Sequence, residues 1–180
     1  YYISISGNGK RIQTQNPPGP GNTIVDNFDE HYFHELDTIN FLSSGKQWYG
    51  EEFSATPGRV ASRDFTINLP GLLLNTPVYV TSDVIGRSVG QASRFDVRLN
   101  NIPLYQHVLQ PLPGVLYEPV ATTSQLSTAI NLTEARLVLN FAFSPGSVNG
   151  QGWLNWFELF CTRSLNMTGI NQLMFRHWNS

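Results

Sequence analysis

Trp153-Leu154-Asn155-Trp156-Phe157-Glu158-Leu159-Phe160-Cys161 is apolar on both faces when laid out as a strand. A strand of that kind fits the centre of a sandwich, covered on each side. By strand alternation, Trp153 and Trp156 differ by three and are expected on opposite faces, so they would not form one flat platform. Just upstream, Leu137, Leu139, Phe141 and Phe143 form a second apolar face. Phe95, Val97 and Leu99 alternate with Arg94, Asp96, Arg98 and Asn100, and Phe65, Ile67 and Leu69 alternate with Asp64, Thr66 and Asn68. That period of two is the mark of half-buried strands. Val78–Val84 follows a corner at Pro70–Pro77, and Asn100-Asn101 turns the chain into Ile102–Leu109. Ser124–Ile130 is the only stretch with the pattern of a helical turn or two.

Towards the N-terminus, Tyr1–Ile5 reads as a strand and Gly7-Asn8-Gly9 as a turn into Lys10–Thr14. Asn16-Pro17-Pro18-Gly19-Pro20-Gly21-Asn22 is a stiff loop unable to carry a ladder. Residues 1–22 are therefore expected to be an extended N-terminal segment with a Pro/Gly loop, and residues 23–180 a single sandwich domain. Nine or ten short strands with Gly/Pro corners predict an all-β fold: an antiparallel β-sandwich, jelly-roll-like, with long loops.

Composition agrees. Among 180 residues there are 7 Ala and 2 Lys against 16 Asn, 15 Ser, 13 Thr, 15 Gly and 11 Pro, so helix formers are scarce. Hydrophobic residues make up 41% and charged residues 13%, which speaks against disorder. A net charge of −2 leaves no footprint for nucleic acid or an anionic membrane surface, and no run is long enough for a transmembrane helix. One cysteine excludes an internal disulfide and Cys-rich zinc sites. The start at Tyr1, inside an apolar run, is read as the beginning of a piece of a longer polypeptide.

Several residues invite a chemical reading. Gly86-Arg87-Ser88-Val89-Gly90 matches the G-x-S-x-G pattern, but a nucleophile elbow needs a helix after the serine, and Gln91–Ser93 leads straight into a strand. A Gly-rich hairpin loop explains both glycines. Cys161 sits in the most apolar strand, where an inert buried thiol is expected. Asp26, Asp29, Glu30, His31, His34, Glu35 and Asp37 form the densest ionisable cluster. Asp26, Asp29, Glu30 and His31 are candidate ligands of a structural Ca²⁺, which tolerates irregular oxygen cages. The simpler reading is a solvated edge strand guarded by charge. Trp48-Tyr49, in a Gly-flanked aromatic segment, is the better ligand candidate among the large aromatics. Asn131-Leu132-Thr133 and Asn166-Met167-Thr168 match the sequon pattern.

Gly45-Lys46-Gln47-Trp48-Tyr49-Gly50-Glu51-Glu52-Phe53 resembles the G-[RK]-x-W-Y-G-E-x-F segment of the type IX secretion system sortases, gingipain-like cysteine peptidases of Bacteroidetes. Gly152–Leu159 resembles their G-W-L-[DN]-aromatic-x-E-L strand, and Phe95–Asn100 their F-x-V-x-[LV]-N strand. Leu165–Arg176, with Gly169, Gln172 and Phe175-Arg176, is similar to the ending L-x₃-G-x-Q-x₂-F-R. Asn155 stands where Asp is common, and His177 follows Phe175-Arg176 where Asp is usual. The resemblance implies the β-sandwich region N-terminal to the peptidase domain, with the catalytic His and Cys downstream and no catalytic residue here, Cys161 included. It implies a cell-surface parent, at the extracellular face of the outer membrane, that removes C-terminal sorting domains from secreted cargo. The sandwich would be a scaffold or a docking module. Its partners would be the downstream peptidase domain and secreted cargo or secretion-system proteins. Trp48, Tyr49, Phe175 and Trp178 are the docking candidates. The alternative is a carbohydrate-binding module of an extracellular enzyme.

Overall fold

Alternating apolar and polar residues turn one side of each strand inward, and the strands so patterned pair into two facing sheets. The computed structural model describes residues 13–16, 19, 21–22, 24–41, 46–115, 119–169 and 171–175. The strand and turn expected over residues 1–12, and Trp178 at the C-terminal end, lie outside them. Among the described residues nine strands follow one another: β1 (Asn27–Glu35), β2 (Glu52–Ser54), β3 (Ser62–Ile67), β4 (Pro77–Arg87), β5 (Ser93–Leu99), β6 (Ile102–Leu109), β7 (Thr122–Asn131), β8 (Leu137–Ser144) and β9 (Gln151–Ser164). One sheet has the order β1-β9-β4-β7, with β2 also on β9, and the other has the order β3-β8-β5-β6. All strand pairs are antiparallel. This interleaving is a jelly-roll sandwich, as expected from the alternation.

The core lies between the sheets. Phe53, Phe95, Phe141 and Phe157 are fully buried with Leu99, Leu139, Leu154 and Leu159. Phe53 meets Phe95 edge-on at 5.1 Å, and Phe65 meets Phe157 at 5.1 Å, the tilted geometry aromatic rings prefer. Gly152 is required in the middle of this apolar strand, because a Cβ there would stand 2.5 Å from the Phe95 ring. Asn100 and Asn101 carry φ of 50° and 67°, the left-handed pair of a tight hairpin between β5 and β6.

Ser124–Ile130 is not helical but lies within β7, paired with β4 along its length. Its Ser/Thr content gives weak local preference, and the ladder offered by β4 decides the outcome. Trp153 and Trp156 do not point to opposite faces. Asp83 of β4 pairs with Trp156 and Val84 with Leu154, leaving Asn155 as an extra residue in a β-bulge. The bulge lets both Leu154 and Phe157 enter the core, and so turns Trp153 and Trp156 to the same outer side.

Candidate docking face

That outer side of the larger sheet is built in three rows. Glu35, Trp156, Asp83 and Gln125 are successive cross-strand partners on β1, β9, β4 and β7. The next row is Phe33, Glu158, Thr81 and Ser127, and the third is His31, Phe160, Tyr79 and Ala129. Phe33 is 49% exposed and Tyr79 48% exposed, so these rows face solvent. The Phe33 and Trp156 rings lie 6.0 Å apart, and His31 stacks on Phe160 at 4.3 Å. A shallow depression of about 430 Å³ is lined by Tyr79, Thr81, Ser127 and Phe160. β9 is central, as its sequence predicted, but it is covered on one side only along Trp156–Phe160.

Asp83 is half-buried among these aromatics. Asn155 Nδ2 donates to its Oδ1 at 2.9 Å. Loss of hydration pushes the Asp83 carboxyl above its usual range, and the Asn155 hydrogen bond opposes that shift. At the end of the same face, Trp153 packs with Tyr49 and Ile85 beneath Phe41. The Trp153 indole N–H is buried there without a hydrogen-bond partner among the described residues.

The aromatic segment separates its two candidates. Trp48 is 44% exposed, while Tyr49 is 6% exposed and bridges Ile39 through paired backbone hydrogen bonds of 2.8 and 3.0 Å. Tyr49 thereby becomes one wall of a cleft of about 200 Å³, with Asn40, Phe41, Gln47 and Ile85. Burial raises its phenol, with Asp83 adding to the shift. Phe175 is exposed.

β1 divides the acidic cluster between its two sides. Glu30 turns inward and pairs with Arg163. His31 turns outward to Glu158 at 3.0 Å, and His34 turns inward to Glu51 at 2.9 Å. Asp26 precedes the strand, and its carbonyl accepts from Leu165 N–H. Asp26, Asp29, Glu30 and His31 are thus not brought into one donor set, and no three His, Cys, Asp or Glu side chains gather around a metal-sized site among the described residues.

Ser88 follows β4 without a helix after it, and its hydroxyl donates to Ser147 Oγ at 3.2 Å. Cys161 is 1% exposed, and burial pushes its thiol up to about 11, with Glu30 adding to the shift. Neither has the environment of an activated nucleophile.

One constellation carries no signal in the residue pattern. His107 and Ser82 are wholly buried, with His107 Nε2 2.9 Å from Ser82 Oγ and Nδ1 2.9 Å from Ser124 Oγ. Tyr105 OH lies 3.0 Å from the same Ser82 oxygen. Burial lowers His107 to about 4 and raises Tyr105 to about 12. A Ser–His contact closed from solvent ties β6 to β4 and β7 across the sandwich. The alternation signal that finds core positions cannot flag it, because it marks His107 as inward without saying what it meets.

No protein-family model matches the chain, and no curated protein matches it. Among solved structures, dimeric latent PorU from Porphyromonas gingivalis is similar with a TM-score of 0.69 and 20% identity over 91% of this chain. The chain spans 15% of the length of that protein. A carbohydrate-binding module, CBM36 in complex with calcium and xylotriose, aligns with a TM-score of 0.42 and 9% identity over 71% of this chain and 87% of its own. The CBM36-1 domain of a xylanase from the hindgut metagenome of Trinervitermes trinervoides aligns at 0.36 and 9% identity over 72% of this chain and 96% of its own. What this chain shares with a stretch of PorU, across 91% of its length, is its fold.

Proposed function

We propose that this chain is the β-sandwich region of a type IX secretion sortase, N-terminal to the peptidase domain, and that it works by protein–protein contact. The observation that carries the reading is the PorU-like fold over 91% of the chain. Sortase-like motifs, spaced in order along the same residues, add to it. The inert surroundings of Cys161 and Ser88 support a non-catalytic role, with the cysteine-type endopeptidase chemistry of the parent placed downstream. The parent acts at the extracellular face of the outer membrane on secreted cargo bearing C-terminal sorting domains. Trp48 and Phe175, both exposed, are its docking side chains, with Tyr49 anchoring the Trp48 segment; Trp178, outside the described residues, is the fourth docking candidate.

Sequencing the native reading frame tests the parent: a downstream α/β domain with a spaced His and Cys supports it, and an unrelated domain overturns it. In the complete protein, Trp48→Ala is expected to slow removal of cargo sorting domains while the melting temperature of the 180-residue chain stays unchanged. Undiminished processing would remove Trp48 from the docking surface.

A further inference from the structure

We infer that the outer face of the larger sheet binds a polypeptide segment bearing arginine, with the Trp156 indole as the platform and Glu35 and Asp83 as the flanking anions. Trp156 has Glu35 as its partner on β1 and Asp83 as its partner on β4. Adjacent strands lie roughly 4.8 Å apart, so the Glu35 and Asp83 side chains leave the sheet from the positions on either side of Trp156. A guanidinium is planar, stacks on an aromatic face and pairs with carboxylates through a rigid fork, which an ammonium cannot do.

Charge on this face is one-sided. The three rows hold the carboxylates of Glu35, Asp83 and Glu158, and no Lys or Arg stands in any of them. Glu158 already meets His31, and Asp83 meets the neutral amide of Asn155. An ionised carboxylate stripped of water, with an amide as its hydrogen-bond partner, gains most from an arriving cation. Apolar surface continues from Trp156 onto Phe33 and across the depression beside Tyr79. A lone small cation would leave that surface uncovered, whereas a peptide covers it with its neighbouring residues. The opposite outer face has the reverse character: Arg94 there already pairs with Asp96 at 3.0 Å.

This deepens the docking half of the proposed function and rests on it only for the identity of the partner. The test is an anisotropy titration of the 180-residue chain with a fluorescein-labelled peptide of alternating Gly and Arg. Binding is expected, weakening as salt rises. The citrulline counterpart, which keeps the shape and loses the charge, should bind at least about tenfold more weakly. Trp156→Ala should weaken the Arg peptide about tenfold, and Asp83→Asn about threefold. Asp64→Asn removes one negative charge from the opposite face and should leave binding unchanged. Asp83→Asn keeps the side-chain shape, so the test survives if Trp156→Ala folds poorly, and unfolding curves check both. Equal binding of the citrulline peptide, or equal weakening by Asp64→Asn, would overturn the inference. Arg-peptide binding lost in Trp156→Ala, with cargo processing intact in the parent, breaks the sortase-docking reading and leaves the face assignment standing. No binding by the unaltered chain breaks the face assignment whatever the parent does.

Discussion

The two outer faces of this sandwich are finished differently. On the smaller sheet, Asn140 Nδ2 donates to Asp64 at 2.7 Å, and Asp96 accepts from Arg94 at 3.0 Å and from Gln106 at 2.6 Å. Charges of both signs stand side by side there. On the larger sheet the same positions hold Phe33, Trp156, Phe160 and Tyr79 among carboxylates. Both sheets send inner side chains into one core, so stability does not require the second face to be aromatic. A solvated face rich in large aromatics costs solubility and marks a surface for contact.

Neighbouring residues on β9 give the sharpest separation of inner from outer side. Phe157 is fully buried against Tyr32, His34, Phe65 and Phe141. Phe157→Ala is expected to cost about 3–5 kcal/mol in urea unfolding. Trp156→Ala, one position away on the open side, should cost under about 1 kcal/mol. Equal costs would make Trp156 a core residue and erase the distinction.

The next effect belongs to the layer between the faces. His107 takes its proton near 4 in the folded chain but at its ordinary value of 6.5 when unfolded. Between those values the unfolded state binds more protons, so stability rises with pH and is lost as pH falls through this window. The loss should reach about 3 kcal/mol, read as the difference in pH dependence between the unaltered chain and His107→Gln. A slope that survives His107→Gln unchanged would mean that another group, not the buried histidine, sets it.

How much of this was legible beforehand follows from what alternation encodes. Phe65, Ile67, Phe95, Val97, Leu99, Leu139 and Phe141 are inward as their spacing predicts, and the Asn100-Asn101 hairpin is where the left-handed pair requires it. Alternation also identified β9 as central, since apolar residues on both sides cannot belong to a fully solvated strand. It failed where a single extra residue changes the count: the bulge at Asn155 resets every side chain N-terminal to it, and nothing in Leu154-Asn155-Trp156 announces the shift. The docking face was hidden for the same reason, because Trp156, Glu35 and Asp83 lie far apart in sequence and meet only through register. Trp48 and Tyr49 adjoin in one loop, but the exposure of each is set by the Ile39–Tyr49 bridge, which sequence spacing does not reveal.

The smallest effect is the most discriminating, because one substitution should act with opposite signs on the two faces. Asp96 accepts from Arg94 and Gln106, so its negative charge is favourable, and Asp96→Asn should lower stability at neutral pH by about 0.5–1 kcal/mol. Asp83 carries its charge against desolvation, which raises its folded pKa above 3.8. The folded state then binds more protons than the unfolded state as pH rises from 3.8 through the folded value, so ionisation lowers stability across that window. Asp83→Asn should therefore be slightly stabilising at neutral pH while keeping the Asn155 contact. That gain should vanish below 3.8, where the carboxyl is protonated in both states. Paired urea curves at neutral and acid pH measure both substitutions. If Asp83→Asn instead destabilises the chain as Asp96→Asn does, then the fold already supplies Asp83 with a compensating charge, the two faces are electrostatically alike, and Trp156 sits beside a carboxylate with nothing left to offer a partner.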